Sequence, residues 1–282
     1  MSKSHWARNS KYAVGVILFH PDERIIARME LIIGLNLPLY VFDNSSCEQV
    51  INLINRGKGN DGLFYITAGK NVGVARSLSI LCATAFAHGH RRMLFLDQDT
   101  GVSERTFKYI DEFISSTPIQ HQQDYAAIVF SGKKSRGQAI ADVTFAINSG
   151  SLYALHILRR LGWHNDQYFV DCVDYEFCIR AIQNGFHIGV VYNTPDFDHI
   201  SEQPDRFITI LGKELSVRRY SIARIKDAYT AYMRLLGYTA RLLRPDLFLG
   251  VFRSLLIYTN GQVIARLPKH YGRSCGRQGN SR

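Results

Sequence analysis

Short apolar runs rich in β-branched and aromatic residues alternate with helical periodicity through the first two-thirds of the chain, a pattern that restricts it to an α/β sheet with crossover helices. Tyr12 to Phe19 (YAVGVILF) and Leu37 to Phe42 (LPLYVF) read as buried strands, with Asp22 to Gly34 as the helix between them. Phe64 to Thr67 is a short third strand. It is followed by Asn71-Val72-Gly73 and a helix placing Val74, Leu78, Leu81, Cys82 and Ala85 on one face. Arg92 to Leu96 is the next strand, its end delivering Asp97-Gln98-Asp99, and Ser103 is the expected N-cap of a helix running to about Ser115. Tyr125 to Phe130 and Val143 to Ile147 read as strands, Ser151 to Leu161 as a helix, and His187 to Tyr192 as a further strand. A helix, YEFCIRAIQNG, closes at Gly185, and from Glu214 onward the pattern reads as helical and basic.

The 282 residues are about twice a typical domain, so one large α/β domain, or a domain with an appendage, is expected. With 46% hydrophobic and 21% charged residues and only seven prolines, disorder and low-complexity polymers are excluded. The net charge of +10 is unevenly placed. Residues 213 to 282 carry 14 Lys/Arg against Glu214, Asp227 and Asp246, whereas the rest holds 20 basic and 21 acidic residues. A basic appendage facing an anionic partner, membrane headgroups or nucleic acid, follows from that asymmetry. The five cysteines are odd in number and form no CxxC, which points to a reducing compartment. No signal-peptide core opens the chain, and Leu247 to Tyr258, interrupted by Arg253, reads as too short to span a bilayer. The expectation is a cytosolic protein, with contact at a membrane surface open to its basic segment.

Three groups of residues can carry chemistry. Asp97 and Asp99 follow an apolar strand, where open α/β sheets place their ligand sites. Two such carboxylates can converge on Mg²⁺ or Mn²⁺, or simply form a polar turn with Asp99 capping the next helix. Asp171, Asp174 and Glu176 surround a helix start. Each can be a cap, but like charges this dense call for a cation or for catalysis, such as general-base proton abstraction. Asp43-Asn44-Ser45-Ser46 ends the second strand, either as an Asx turn or with Asp43 contacting a nucleotide base. His199, a lone histidine after a strand, is more commonly structural than a ligand, and Cys172 and Cys178 suit apolar packing.

In combination, VGVILFHP, LYVFDNSS, GKNVGVARSLSI, RMLFLDQD, AINSGSLYAL, DQYFVDCVDYEFCIRAIQNGF and RRYSIARIKDAY resemble glycosyltransferase family 2 over residues 12 to about 230. Within it the chain is most similar to the bacterial rhamnosyltransferase-like branch. The resemblance implies an inverting GT-A fold, that is, a Rossmann-like mixed sheet flanked by helices with a C-terminal helical extension. With the charge split and the Gly/Ser/Arg-rich end, the expected partition is a catalytic domain (1–212), a basic helical extension (213–270) and a tail (271–282) expected to be disordered. Phe19, His20 and Asp43 would hold the nucleotide base and ribose, and Asn71 and Arg76 would lie near the donor. Asp97 and Asp99 would take the DxD position, binding the donor through Mg²⁺ or Mn²⁺ with His199 as an additional ligand. Asp174 would be the general base, and Ser149, Gly150, Asp171 and Glu176 would border the acceptor.

The chain departs from the family at Val173-Asp174, where Glu-Asp is usual, at His20 in place of Asn, and at Ser77 and Ser79 in place of Asn and Gly. The expected reaction moves rhamnose or another hexose from a dTDP or UDP sugar to a glycan or lipid-linked acceptor of bacterial surface polysaccharide, on the inner face of the cytoplasmic membrane. A catalytically inactive relative that binds sugar nucleotides and a metal-dependent nucleotidyltransferase are the neighbouring readings. Nucleic-acid binding, suggested by tyrosines interleaved in the basic segment, is disfavoured because the acidic strand-end cluster repels phosphates unless a metal intervenes.

Overall fold

The computed structural model describes residues 10–45, 48, 50–52, 62–118, 122–136, 139–199, 206–210 and 213–266. For 23, 199, 206–210 and 213–216 it describes the backbone alone. The expected tail after Tyr271 lies outside the described residues. Strands β1 (Ala13–Leu18), β2 (Leu39–Asp43), β3 (Leu63–Thr67) and β4 (Arg92–Asp97) are joined through helices α1 (Glu23–Gly34) and α2 (Val74–Ala87). After β5 (Thr100–Gly101) come α3 (Glu104–Ser116), β6 (Tyr125–Phe130), β7 (Ala141–Asp142), β8 (Ser151–Ala154) and α4 (Leu155–Arg160). Then follow α5 (Val173–Gln183), β9 (His187–Val191), β10 (Asp198–His199), the hairpin β11 (Arg206–Ile210) and β12 (Lys213–Val217), α6 (Ile222–Arg241) and α7 (Pro245–Ile264).

Eight strands form one mixed sheet in the order β3-β2-β1-β4-β8-β6-β9-β7. The β3-β2-β1-β4 half is parallel, β8 runs antiparallel to both β4 and β6, and β6 pairs parallel with β9. Period-two alternation divides β1 between two cores, which is why its residues are all buried. Val14, Val16 and Leu18 pack with Ile25, Met29 and Ile32 of α1 and Phe107 and Ile110 of α3. Ala13 and Ile17 face Leu78, Leu81 and Cys82 of α2 and Phe177 of α5. Leu235 of α6 and Leu247, Val251 and Leu255 of α7 join this second core, so the C-terminal helices are packed onto the sheet's α2 and α5 side.

Local chemistry sets the element ends where the sequence predicts. Asp22 caps α1, accepting the Arg24 N–H at 3.0 Å, and Ser103 caps α3 in a reciprocal box with Thr106. Three expectations are corrected. Residues 143–147 form no strand, regular pairing here being confined to Ala141–Asp142. Ser151–Ala154 is a fully buried strand, not the first turn of a helix, because the gap between β4 and β6 satisfies its backbone and overrides the helical propensity of Leu and Ala. Residues 213–217 are the second strand of a hairpin, and helix begins only at Ile222, capped by Ser221. The apolar stretch beginning at Leu247 also belongs to a helix, α7, which at 20 residues is long and apolar enough to cross a membrane by length and composition.

Candidate active site

The C-terminal ends of β1, β2 and β4 converge on one edge of the sheet, and a cleft of about 1100 Å³ opens there. The parallel register puts Ile17 beside Asp97 and Leu18 beside Asp43. One wall is formed by Phe19, Asn44, Asn71 and Asp97-Gln98-Asp99. Asp174, at the start of α5, lines the same cleft, and Arg218, Tyr220, Arg224 and Tyr258 supply the opposite wall.

The acidic turn is fixed from several sides. Ser149, fully buried, accepts the Asp97 N–H through Oγ at 3.2 Å and hydrogen bonds the Thr100 hydroxyl. Arg28 of α1 donates to the Gln98 carbonyl at 2.6 Å. The Gln98 side chain accepts the Phe19 N–H at 2.9 Å and donates to the Phe19 carbonyl at 3.1 Å, leaving the Phe19 ring 46% exposed in the cleft. Strand β10 pairs with β5 so that His199 lies opposite Thr100, next to Asp99; its side chain lies outside the described residues.

Burial, followed by the neighbouring carboxylates of Asp99 and Asp174, pushes the Asp97 carboxyl up to about 7. Burial likewise raises Asp174 to about 6. The Tyr175 N–H, donating at 2.9 Å, opposes the shift and the Asp171 carboxylate adds to it. These groups are all hard oxygen donors whose mutual repulsion a divalent cation would relieve, so Asp97 and Asp99 fit Mg²⁺ or Mn²⁺. Among the described residues no group of three or more His, Cys, Asp or Glu is arranged as a complete metal site.

Several predicted site residues hold the cleft together without facing it. Asp43 is fully buried, its Oδ1 accepting the Ser45 N–H at 2.8 Å and its Oδ2 the Tyr65 hydroxyl at 3.0 Å. The Asx turn forms there, and the carboxylate carries no accessible surface. Asn44, which does line the cleft, accepts the Val72 N–H at 2.9 Å and ties β2 to the loop before α2. Asn71 lines the cleft while holding the Gly73 N–H at 2.9 Å. His20 adopts a left-handed conformation beside Phe19, their rings 4.3 Å apart, and donates its N–H to Ser45 at 3.0 Å. Arg76 is exposed on α2, outside the cleft lining.

On the expected acceptor side, Ser149, Gly150 and Glu176 do not line the cleft. Ser149 and Gly150 lie behind the wall that Ile147 and Asn148 present. At Gly150, with φ of +80°, a Cβ would lie 2.5 Å from the Phe130 carbonyl. Glu176 is 3% exposed and bound to Arg180 at 2.7 Å, and that arginine also donates to the Leu161 and Trp163 carbonyls, so its carboxylate serves the core. Asp171 is half-buried, with Arg224 Nε at 3.9 Å, and its carboxyl is raised by burial against the pull of Arg224. Sequence reasoning missed Gln98 and Arg28 as positioning groups and the whole Arg218 to Tyr258 wall. The signal for the wall was present in RRYSIARIKDAY, a matched segment to which no role was attached.

No family model matches the chain. It is 22% identical over 226 residues to the dTDP-rhamnosyl transferase RfbF of Shigella flexneri, covering 73% of this chain and 75% of that protein. The sequence likeness is to a glycosyltransferase of the GT2-like, GT-A kind. Among solved structures, the chain is similar to S. aureus TarS 1–349 in complex with UDP-GlcNAc, at 16% identity over 90% of this chain and 93% of that one, with a TM-score of 0.49. Against S. aureus TarS the identity is 16% and the TM-score 0.48, over 67% of this chain; the chain spans about a third of TarS, 36%. The mannosyltransferase PcManGT of Pyrobaculum calidifontis, in complex with GDP-Man and Mn²⁺, is 13% identical over 65% of this chain and 56% of that one, with a TM-score of 0.45.

Proposed function

We propose that the protein transfers rhamnose or another hexose, with inversion, from a dTDP or UDP sugar to a hydroxyl of a glycan or lipid-linked acceptor in bacterial surface-polysaccharide synthesis. The observation that carries this reading is the placement of Asp174 in the same cleft as Asp97 and Asp99. The similarity to a dTDP-rhamnosyl transferase supports the donor class. Phe19 offers its ring face to the base, and the acidic turn lies where the diphosphate would reach. A Mg²⁺ or Mn²⁺ ion held by Asp97 and Asp99 would, when bound, supply the charge that neutralises the diphosphate.

Asp174, raised toward neutrality, takes the proton of the acceptor hydroxyl. The oxygen forms its bond to the anomeric carbon as the bond to the diphosphate breaks, and the nucleoside diphosphate departs. This single displacement inverts the anomeric centre. Arg218 and Arg224 bring positive charge to the facing wall, where it can meet the leaving group. The cleft exceeds the roughly 300–1,000 Å³ of a typical single-ligand pocket, leaving room for donor and acceptor together.

The test is a thermal-shift screen of nucleotide sugars with and without Mn²⁺, followed by determination of the product's anomeric configuration. Stabilisation requiring both a thymidine or uridine diphosphate sugar and metal, and an inverted product, are expected. Binding without turnover would identify an inactive relative, and a retained configuration would remove Asp174 from the role of base in a single displacement.

A further inference from the structure

Helix α7 presents two different sides. Leu247, Val251 and Leu255 are buried in the core. On the opposite side Leu249, Phe252, Leu256 and Val263, spaced three, four and seven residues apart, are 41 to 62% exposed and form one apolar stripe. The sequence grouping of Phe248, Val251, Phe252, Leu255 and Leu256 on one side thus divides, with Val251 and Leu255 turned inward. The stripe extends about 21 Å along the helix axis. At the turn joining α6 to α7, Leu243 is 86% exposed in a left-handed conformation with φ of 53°, a strained setting for a bulky apolar residue.

The charges around the stripe select the partner. Arg241 beside the turn and Arg253 at the stripe's margin are exposed and make no ion pair among the described residues. The acidic residue at this end, Asp246, is neutralised by Arg244 at 2.6 and 2.9 Å. The sequence after the helix adds Arg266, Lys269, Arg273, Arg277 and Arg282 and no Asp or Glu. Packing stripe against stripe in a pair of these chains would bring like charges together, whereas an anionic lipid surface neutralises them and accepts the apolar side chains.

We propose that the exposed face of α7, with Leu243 at its tip, docks the protein on an anionic bilayer, the helix lying along the interface. A spanning orientation would carry Arg253 to mid-membrane and strip Leu247, Val251 and Leu255 out of the core. Ile257, on the side of the same helix, lines the catalytic cleft, so docking brings the cleft edge to the lipid surface. If the transferase reading holds, the acceptor is therefore drawn from lipid-linked glycans; the docking itself does not depend on that reading.

Sedimentation of the full chain with phosphatidylcholine vesicles, with and without about 30% phosphatidylglycerol, tests it. Binding at least about tenfold tighter to the anionic vesicles and weakened by salt is expected. The double variant F252D/L256D should lose about tenfold in that affinity while keeping the wild-type melting temperature and nucleotide binding, and R241E/R253E should lose the preference for anionic lipid. Absence of binding to anionic vesicles at about 0.1 M salt would overturn the proposal. So would undiminished binding by F252D/L256D, or a wild-type dimer that this variant converts to monomer, which would make the stripe an interface between copies. A protein that docks but transfers no sugar would leave the docking intact and defeat only the function proposed above.

Discussion

The side-chain amide of Gln98 replaces a peptide group beside Phe19, accepting its N–H at 2.9 Å and donating to its carbonyl at 3.1 Å. The β1–β4 ladder ends at Ile17 and Asp97, so this amide continues the pairing beyond the last strand residues. It joins the segment that presents the Phe19 ring to the turn that presents two carboxylates. In Gln98→Ala, nucleotide affinity measured by calorimetry should fall about tenfold, the value of two modest hydrogen bonds. The melting temperature should move by less than about 4 °C. Unchanged affinity with a lower melting temperature would reduce the clamp to a purely structural contact.

Asp174→Asn keeps the size of the side chain and removes its capacity to take a proton. Transfer should fall by roughly 10²–10⁴-fold with donor affinity changed by less than about threefold. A near-normal turnover would exclude Asp174 as the base.

The pH dependence follows from the two raised carboxyls. Asp174 must be ionised to act, so kcat should rise with pH through a midpoint near 6 and level off above it. Stability should run the other way. With folded values near 7 for Asp97 and 6 for Asp174, the folded chain holds more protons than the unfolded one between the ordinary carboxylate range and pH 7. Their contribution is therefore fully present at low pH and is lost as pH rises to about 7. Mn²⁺ should offset that loss, giving a larger thermal shift at pH 7.5 than at pH 5.5. A shift independent of pH would argue against ligation by Asp97.

Glu176→Ala should destabilise the protein by about 3–5 kcal/mol in urea unfolding, because it leaves Arg180 buried without its carboxylate partner. Activity per folded molecule should persist. Loss of activity at unchanged stability would return Glu176 to the acceptor site that the sequence reading assigned to it.

The sequence was informative wherever structure depends on neighbours along the chain. Continuous apolar runs located β1, β2, β4 and β6, and Asp22 and Ser103 announced helix starts, since a cap needs only a side-chain oxygen within reach of the next turn's N–H groups. The spacing of Asp97, Asp99 and Asp174 after apolar elements identified the residues that the sheet brings to one cleft. The misreadings arose where distant segments decide. Ser151 to Ala154 became a strand because two strands far away in sequence leave a gap only a strand can satisfy. Helical geometry likewise turns Glu176 toward Arg180 and the core, and Ser45 and Tyr65 enclose Asp43.

By itself the sequence determined the α/β class, the starts of α1 and α3, the carboxylates of the cleft and the basic character of the last quarter. Only the tertiary structure decided which of those carboxylates face the cleft, that Gln98 joins its two halves, and that the basic helices form its far wall while leaving an apolar stripe outside. Periodicity along a chain specifies which face of an element is apolar, whereas the choice between core, cleft and surface depends on the elements packed against it.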